Sequence, residues 1–502
     1  MQETLERYGL RQRVGLIAGG ALFALTLLLP APSQMPPLAW KTAALALLMA
    51  TWWVSEALPV FATALLPIAL LPLLGVASIE EATAPYANPV IFLFMGGFFI
   101  ALAIEEHGLH RRVALWILSK ISPEPANVVG GFMLATALIS MWVSNSATAL
   151  MMLPIGRSVV ELALSEERDE TTRQNFSATM MLGIAYAASI GGLGTLVGTP
   201  PNALFAAFVN KTYKVEASFA QWAAIGVPLV LISLPLSWWL MTKFVFALPK
   251  RRFQASQDLI ESELRSMGKM TKGELLVALV FSLTAALWIF RPLIVSAFPQ
   301  TKLSDDGVAI FGALLLFLLP IDFKRGEFAL SLTQAKKLPF DVLILFGGGL
   351  SLAQAIQKSG LSAFASASLS SLSGASVALM VFLVGLVAIL ATELIGNTAL
   401  AATMFPIVAP VATAMGENPF LLLLPVALGV SCAFMLPVGT PPNAIAYSSG
   451  YVRTDQMARA GLWLNALFAI LIALVVLGLA PLVFGVEFGV LPEWAKTSSP
   501  SQ

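Results

Sequence analysis

The chain has 502 residues, of which 58% are hydrophobic and 11% charged, with one cysteine and a formal net charge of +1. Soluble domains carry roughly 25% charged residues, so a mean hydropathy of +0.83 marks an integral membrane protein. The near-neutral, unclustered charge argues against a nucleic-acid partner, and a lone Cys432 excludes an intramolecular disulfide or a multi-thiolate metal site.

Cys432 stands in an apolar run and reads as a small packing residue. Glu3 and Glu6 precede the first apolar run and no clear small-residue cleavage site follows it, so the first span is expected to be retained. A spanning helix needs about 20 mostly apolar residues. On that measure spans are expected at 14–31 (TM1), 39–57 (TM2), 59–76 (TM3), 88–105 (TM4) and 177–209 (TM5). They continue at 218–248 (TM6), 274–296 (TM7), 306–321 (TM8), 339–357 (TM9), 419–447 (TM10) and 459–485 (TM11). Two further apolar stretches, 125–163 and 375–414, are interrupted by Asn-containing motifs and read as re-entrant hairpins. Segments 107–121 and 360–373 are too short or too polar to span and read as interfacial arms leading into the hairpins.

Loop charge orients the spans. Arg7, Arg11 and Arg13 precede TM1; Lys250, Arg251, Arg252, Arg265, Lys269 and Lys272 fill the loop after TM6. Lys324, Arg325, Lys336 and Lys337 follow TM8, and Arg453 and Arg459 stand at the start of TM11. The segment 77–87, with Glu80 and Glu81, has neither Lys nor Arg. Positive-inside bias then places the N-terminus and the 249–273 linker in the cytoplasm and the C-terminus outside.

The two halves align. Gly96-Gly97 matches Gly348-Gly349, Gly108-Leu109 matches Gly360-Leu361, Asn145 matches Asn397 and Pro154 matches Pro406, all at an offset of 252. Further on the offset is 241, pairing Asn202 with Asn443 inside two copies of Gly-Thr-Pro-Pro-Asn. The expected fold is therefore an all-α integral membrane protein of about eleven transmembrane helices in two inverted-topology repeats, 39–248 and 274–487. The segment 1–38 holds the N-terminal tail and TM1, and 488–502 is the C-terminal tail.

The motifs carry chemistry. A hairpin turning at Ser144-Asn145 or Gly396-Asn397 starts a half-helix whose free N–H groups favour an anion. The preceding half-helix ends in free carbonyls that favour a cation. Pro200-Pro201 and Pro441-Pro442 interrupt TM5 and TM10 and free carbonyls at Gly198 and Gly439. Neutral oxygens without a carboxylate cage suit a monovalent cation such as Na⁺ better than a transition metal.

At these residues the chain resembles the divalent anion/sodium symporter family, solute carriers for dicarboxylates, citrate and sulfate. The resemblance covers nearly the whole chain. It implies a homodimer in the cytoplasmic membrane, an elevator motion of a transport domain, and no cofactor beyond Na⁺ as coupling ion. It also implies one Na⁺ site from Ser140, Ser144, Asn145 and Gly198, and another from Thr392, Ile395, Asn397 and Gly439. The substrate carboxylates would meet Asn145, Ser146, Asn397 and Thr398, with Thr199, Thr440 and Pro441 beside them. Two positions depart from the family pattern: Ser146 stands where Thr is usual, and Gly396 where Ser is usual.

The expected activity is sodium-coupled import of C4-dicarboxylates such as succinate, malate or fumarate. The alternatives are dicarboxylate exchange by the same fold, or sulfate or a tricarboxylate as substrate. His107 and His110 read as the polar start of an arm rather than a metal or proton site. Glu393, ionisable and beside the second motif, reads either as a residue orienting Asn397 or as a proton site. No Ser-His-Asp set, paired buried carboxylates or phosphate loop supports an enzyme. A channel is disfavoured by the repeated, discontinuous helices.

Overall fold

The computed structural model describes residues 9–165, 169–249, 254–368 and 375–496. Its first half holds α1 (Leu10–Leu28), α2 (Pro37–Ser55), α3 (Val60–Ala64), α4 (Leu66–Leu73), α5 (Ile79–Thr83) and α6 (Pro89–Glu106). It continues through α7 (Leu109–Leu118), α8 (Pro125–Ser140), α9 (Asn145–Ser165), α10 (Glu170–Gly192), α11 (Pro200–Tyr213) and α12 (Phe219–Trp239). A linker helix α13 (Gln254–Ser266) leads to α14 (Lys272–Ala297), α15 (Asp305–Leu318), a ribbon of β1 (Pro320–Asp322) and β2 (Glu327–Phe328), and α16 (Leu332–Ala335). The chain closes with α17 (Phe340–Lys358), α18 (Leu361–Ser368), α19 (Val377–Thr392), α20 (Asn397–Ala414), α21 (Phe420–Gly429), α22 (Pro441–Ser448), α23 (Thr454–Phe484) and α24 (Glu493–Lys496).

Six helical stretches among the described residues are individually long and apolar enough to cross a bilayer. Several other expected spans are built from two pieces. TM3 divides at Leu65 into α3 and α4, because Pro67 has no N–H to carry the first helix onward. The Tyr86 hydroxyl donates to the Ala64 carbonyl at this break. TM8 stops at Leu318, short of its expected end. Leu319 before Pro320 is extended (φ −82°, ψ 113°), as residues before proline are. The antiparallel ribbon that follows is a small departure from the all-α expectation. Asp322 Oδ1 accepts from Lys324 N at 2.9 Å and Gly326 takes φ +67°, so an Asx turn closes it.

The repeated glycines mark helix crossings. A Cβ on Gly96 would lie 2.5 Å from the Ala309 backbone, and one on Gly348 would lie 2.3 Å from Ala64 O. So α6 crosses α15 at backbone contact, and α17 crosses α3 in the same way.

The two arms occupy α7 and α18, the latter described as far as Ser368; the rest of the second arm lies outside the described residues, as do Arg7 and Lys250 to Arg252. Arg112 of α7 grips Glu274 at the start of α14 through Nε–Oε1 (2.8 Å) and Nη2–Oε2 (3.1 Å), and donates to Gly268 O at 2.8 Å. The linker helix α13 packs on α7 and on α9. His107 Nε2 lies 2.9 Å from Ala329 O and His110 Nδ1 lies 3.1 Å from Ile104 O. Each histidine is thus spent on a backbone carbonyl, and no group of three metal-ligating side chains occurs among the described residues.

Candidate cation and substrate site

The first interruption forms where α8 ends and α9 begins. Ser144 accepts from Ala147 N through its hydroxyl at 3.3 Å and from Thr148 N through its carbonyl at 3.0 Å, which is N-cap behaviour and explains why a helix restarts there. Ser144 itself is exposed, whereas Ser140 is fully buried. Ser140 Oγ stands 2.7 Å from Asn145 Oδ1 and 2.7 Å from Ala188 O of α10. One hydroxyl proton shared between two acceptors leaves lone pairs unsatisfied, so these three oxygens form an acceptor-rich cluster that fits a cation.

Gly192 makes room for it. A Cβ there would lie 2.6 Å from Asn145 Oδ1 and 3.2 Å from Gly198 O, so both oxygens approach one point beside the broken helix. The break between α10 and α11 is pinned by Asn202, whose Nδ2 donates to Gly192 O at 2.9 Å and to Thr195 O at 2.8 Å. Asn202 Oδ1 is buried without a hydrogen-bond partner. Thr195 donates to Met141 O and accepts from Gly198 N at 3.1 Å, tying the hairpin turn to the break.

The second half repeats this pattern. Thr392 Oγ1, fully buried, stands 2.9 Å from Asn397 Oδ1, 2.6 Å from Val430 O and 3.4 Å from Ile395 O. Asn443 Nδ2 donates to Ala433 O at 3.0 Å and Leu436 O at 3.1 Å, and its Oδ1 is again buried and unpartnered. Behind the breaks, a Cβ on Gly226 would lie 2.3 Å from Leu193 O, and one on Gly461 2.2 Å from Phe434 O. Thus α12 and α23 back the two breaks equivalently.

One connection differs. Met141, which matches Glu393, offers only its carbonyl, and Thr195 matches Leu436, which has no hydroxyl to reach back. Glu393 instead takes N–H groups from the break: Oε1 accepts from Phe434 N and Met435 N, both at 2.8 Å, and Oε2 from Leu436 N at 3.0 Å. Asn465 Nδ2 of α23 adds a fourth donor at 2.8 Å. The sequence reading of Glu393 as a residue orienting Asn397 is therefore corrected. No hydrogen bond joins the two among the described residues, and Glu393 holds the α21–α22 break. All four contacts are donors, so the carboxylate serves as an acceptor hub. It also brings the Gly439 region close, since a Cβ on Gly439 would lie 3.1 Å from Glu393 Oε2.

Each broken helix crosses to the other half. The segment α22 packs on α9 and α10, while α11 packs on α20, α17 and α21. Tyr186 of α10 donates to Phe434 O at 2.7 Å, so the first half also holds the second break. Tyr186 and the carbonyls of Ala188 and Val430 escaped sequence reading.

Of the residues expected to meet substrate, Ser146 and Thr398 occupy the first turns of α9 and α20 and are half-buried. Thr199 and Thr440 are buried N-caps of α11 and α22, and Pro441 is exposed. Thr440 Oγ1 accepts from Asn443 N at 3.4 Å, whereas Thr199 makes no such cap bond. No side-chain hydrogen bond joins these five residues to either oxygen cluster among the described residues.

Gly396, at φ −57° and ψ 133°, is not in the left-handed region, and a Cβ there would meet nothing within 4 Å. Glycine is thus not required for backbone geometry. Gly396→Ser should fold as wild type and tighten apparent Na⁺ affinity a few-fold, since one neutral oxygen contributes about 0.5–1.5 kcal/mol. Melting temperature and the Na⁺ dependence of uptake check it together. Unchanged Na⁺ affinity in a stable protein would leave the new hydroxyl a helix cap only.

A family model for the transmembrane region of sodium:sulfate symporters matches residues 11–485. The sodium-dependent dicarboxylate transporter SdcS of Staphylococcus aureus (strain USA300) is 41% identical over 484 residues, covering 95% of this chain and 92% of SdcS; that of strain MRSA252 aligns equally well. Among solved structures, the YdaH transporter of Alcanivorax borkumensis is similar at a TM-score of 0.58 and 13% identity, over 86% of this chain and 98% of that one. MtrF of Neisseria gonorrhoeae gives a TM-score of 0.57 at 14% identity, over 92% of this chain and 96% of that one. At such identities these two show a shared fold only.

Proposed function

The chain belongs to the sodium:sulfate symporter family, and we propose that this multi-pass membrane transporter carries C4-dicarboxylates in symport with Na⁺. The observation that carries the reading is the pair of oxygen clusters, Ser140–Asn145–Ala188 and Thr392–Asn397–Val430, built from matching residues of the two halves. Each offers more oxygens than protons, which favours a hard monovalent cation. Beside each, a half-helix begins with free N–H groups that favour a carboxylate. The 41% identity with a sodium-dependent dicarboxylate transporter over nearly the whole chain supports dicarboxylate over sulfate.

In this reading Ser140, Ser144, Asn145, Gly198 and Ala188 O hold one Na⁺, and Thr392, Ile395 O, Asn397, Val430 O and the Gly439 carbonyl hold the other. Asn145, Ser146, Asn397 and Thr398 receive the substrate carboxylates, with Thr199, Thr440 and Pro441 at the sides. Na⁺ lowers the cost of bringing a dianion into the bilayer, and the dianion in turn retains Na⁺, which is the coupling. Eleven crossings, two inverted repeats (39–248 and 274–487) and two re-entrant hairpins complete the architecture. The N-terminus is cytoplasmic and the C-terminus outside. The functional unit is a homodimer in which a transport domain moves as an elevator. The cross-packing of α22 on α9 and α10, and of α11 on α20, supports motion of both motifs together.

Uptake of labelled succinate into proteoliposomes tests the proposal. Accumulation should follow an inward Na⁺ gradient and collapse when choline replaces Na⁺. Equal uptake in both salts would overturn symport, and acceleration by internal dicarboxylate would then identify an exchanger.

A further inference from the structure

We propose that the face opposite the 249–273 linker carries a second anion site, a lysine-lined pocket between α11 and α17 that takes a small dianion. Helix direction locates it. Lys272 at the start of α14 donates to Ile321 O of the ribbon at 2.7 Å, and the ribbon leads through the short α16 into α17, so the linker and the start of α17 share one face. The helix α17 ends at Lys358 on the other face, beside the end of α11, where Gln357 Nε2 donates to Thr212 O at 2.9 Å. A cavity of about 450 Å³ opens there, lined by Lys211, Lys214, Gln354, Gln357, Lys358 and Trp494.

Three ammonium groups on this face run against the positive-inside bias, which leaves outer segments poor in Lys and Arg. Lys358 pairs with Glu81 at 2.6 Å, but Lys211 and Lys214 form no ion pair among the described residues. Burial, Lys214 and Lys358 together hold the Lys211 ammonium below its ordinary pKa, as expected for cations crowded around a space without a counter-charge. Lys214 ends α11 at φ +59°, where glycine or asparagine is the usual residue. Helix-end capping accounts for part of this, since Lys214 Nζ donates to Lys211 O at 3.2 Å. The same holds for Lys211 and Lys358 in the last turns of α11 and α17, but capping does not by itself bring two helix ends to one cavity.

Two unneutralised cations and a third shared with a carboxylate match a dianion carrying two oxyanion charges close together, a dicarboxylate or sulfate. The pocket is distinct from the central site. The 14 residues of α11 separate it from Thr199 by about 20 Å. An anion held here would bridge α11 to α17, the two helices already joined by Gln357.

The experiment is thermal stability of the full-length protein against sulfate, in choline buffer with chloride at matched ionic strength as reference. Only its silencing arm, Asn145→Ala/Asn397→Ala, rests on the transport reading. The expected result is saturable stabilisation by sulfate beyond chloride, retained in Asn145→Ala/Asn397→Ala. Lys211→Gln/Lys358→Gln should weaken it about tenfold and Lys211→Arg/Lys358→Arg should keep it. Sulfate no better than chloride, or stabilisation indifferent to the lysine changes, overturns the proposal. Loss of the effect in Asn145→Ala/Asn397→Ala also overturns it, by placing sulfate in the central site. Failure of the transport reading would show separately, as succinate uptake independent of Na⁺.

Discussion

Asn145→Ala and Asn397→Ala should each nearly abolish succinate uptake while leaving a folded, membrane-inserted protein. Each asparagine places its Oδ1 in an oxygen cluster, 2.7 Å from Ser140 and 2.9 Å from Thr392 respectively. Each also opens a half-helix, where on the proposed site its amide would meet both cation and anion. Loss of a charge-assisted contact costs about 1.5–3 kcal/mol, roughly ten- to a hundredfold in affinity. On the proposed coupling of cation and anion, that loss would be felt by both. Neither side chain anchors the fold: the breaks are pinned by Asn202 and Asn443, whose bonds are untouched. Uptake at limiting substrate and melting temperature, measured on the same preparations, check this. Wild-type uptake in either variant would reject the site.

Glu393→Ala should be the more damaging change to the protein itself. It removes the acceptor for three backbone N–H groups and for Asn465, in a side chain that is 4% exposed. A buried donor left without a partner costs about 1–3 kcal/mol, so the α21–α22 break should lose its shape and uptake with it. Glu393→Gln keeps three of the four bonds if its oxygen takes the Oε1 place, and loses only the one to Leu436. It should therefore fold, with weakened Na⁺ dependence. The first half suggests a repair. There Met141 and Thr195 make the equivalent tie with the polarity reversed, through a hydroxyl to a carbonyl. Glu393→Met should be partly rescued by Leu436→Thr. Normal stability and uptake in Glu393→Ala would refute this role.

How much of this could be read in the sequence depends on what each residue type can signal. The doubled Gly-Thr-Pro-Pro-Asn and the paired Asn145 and Asn397 were legible because Pro and Asn in an apolar run have few structural uses. The paired glycines at 96 and 348 were legible as a repeat, but their cause, a backbone-to-backbone crossing with α15 and α3, needed the packing. Ala188 and Val430 carried no signal at all, since they contribute backbone carbonyls that any residue has. Their offset of 242 rather than 241 also hides them from a simple alignment. Glu393 was visible as a buried ionisable group, but its partners lie about 40 residues along the chain and on α23, beyond any local pattern. The split of TM3 at Leu65 was readable from Pro67 and Pro72, yet high apolarity outweighed them.

The measurement that bears most directly on two matched cation sites is the Na⁺ dependence of initial succinate uptake in proteoliposomes at fixed external succinate. Two sites serving one transport event require a sigmoidal curve with a Hill coefficient above one and no uptake in choline. A hyperbolic curve with a coefficient of one, or uptake that ignores Na⁺, would contradict the account.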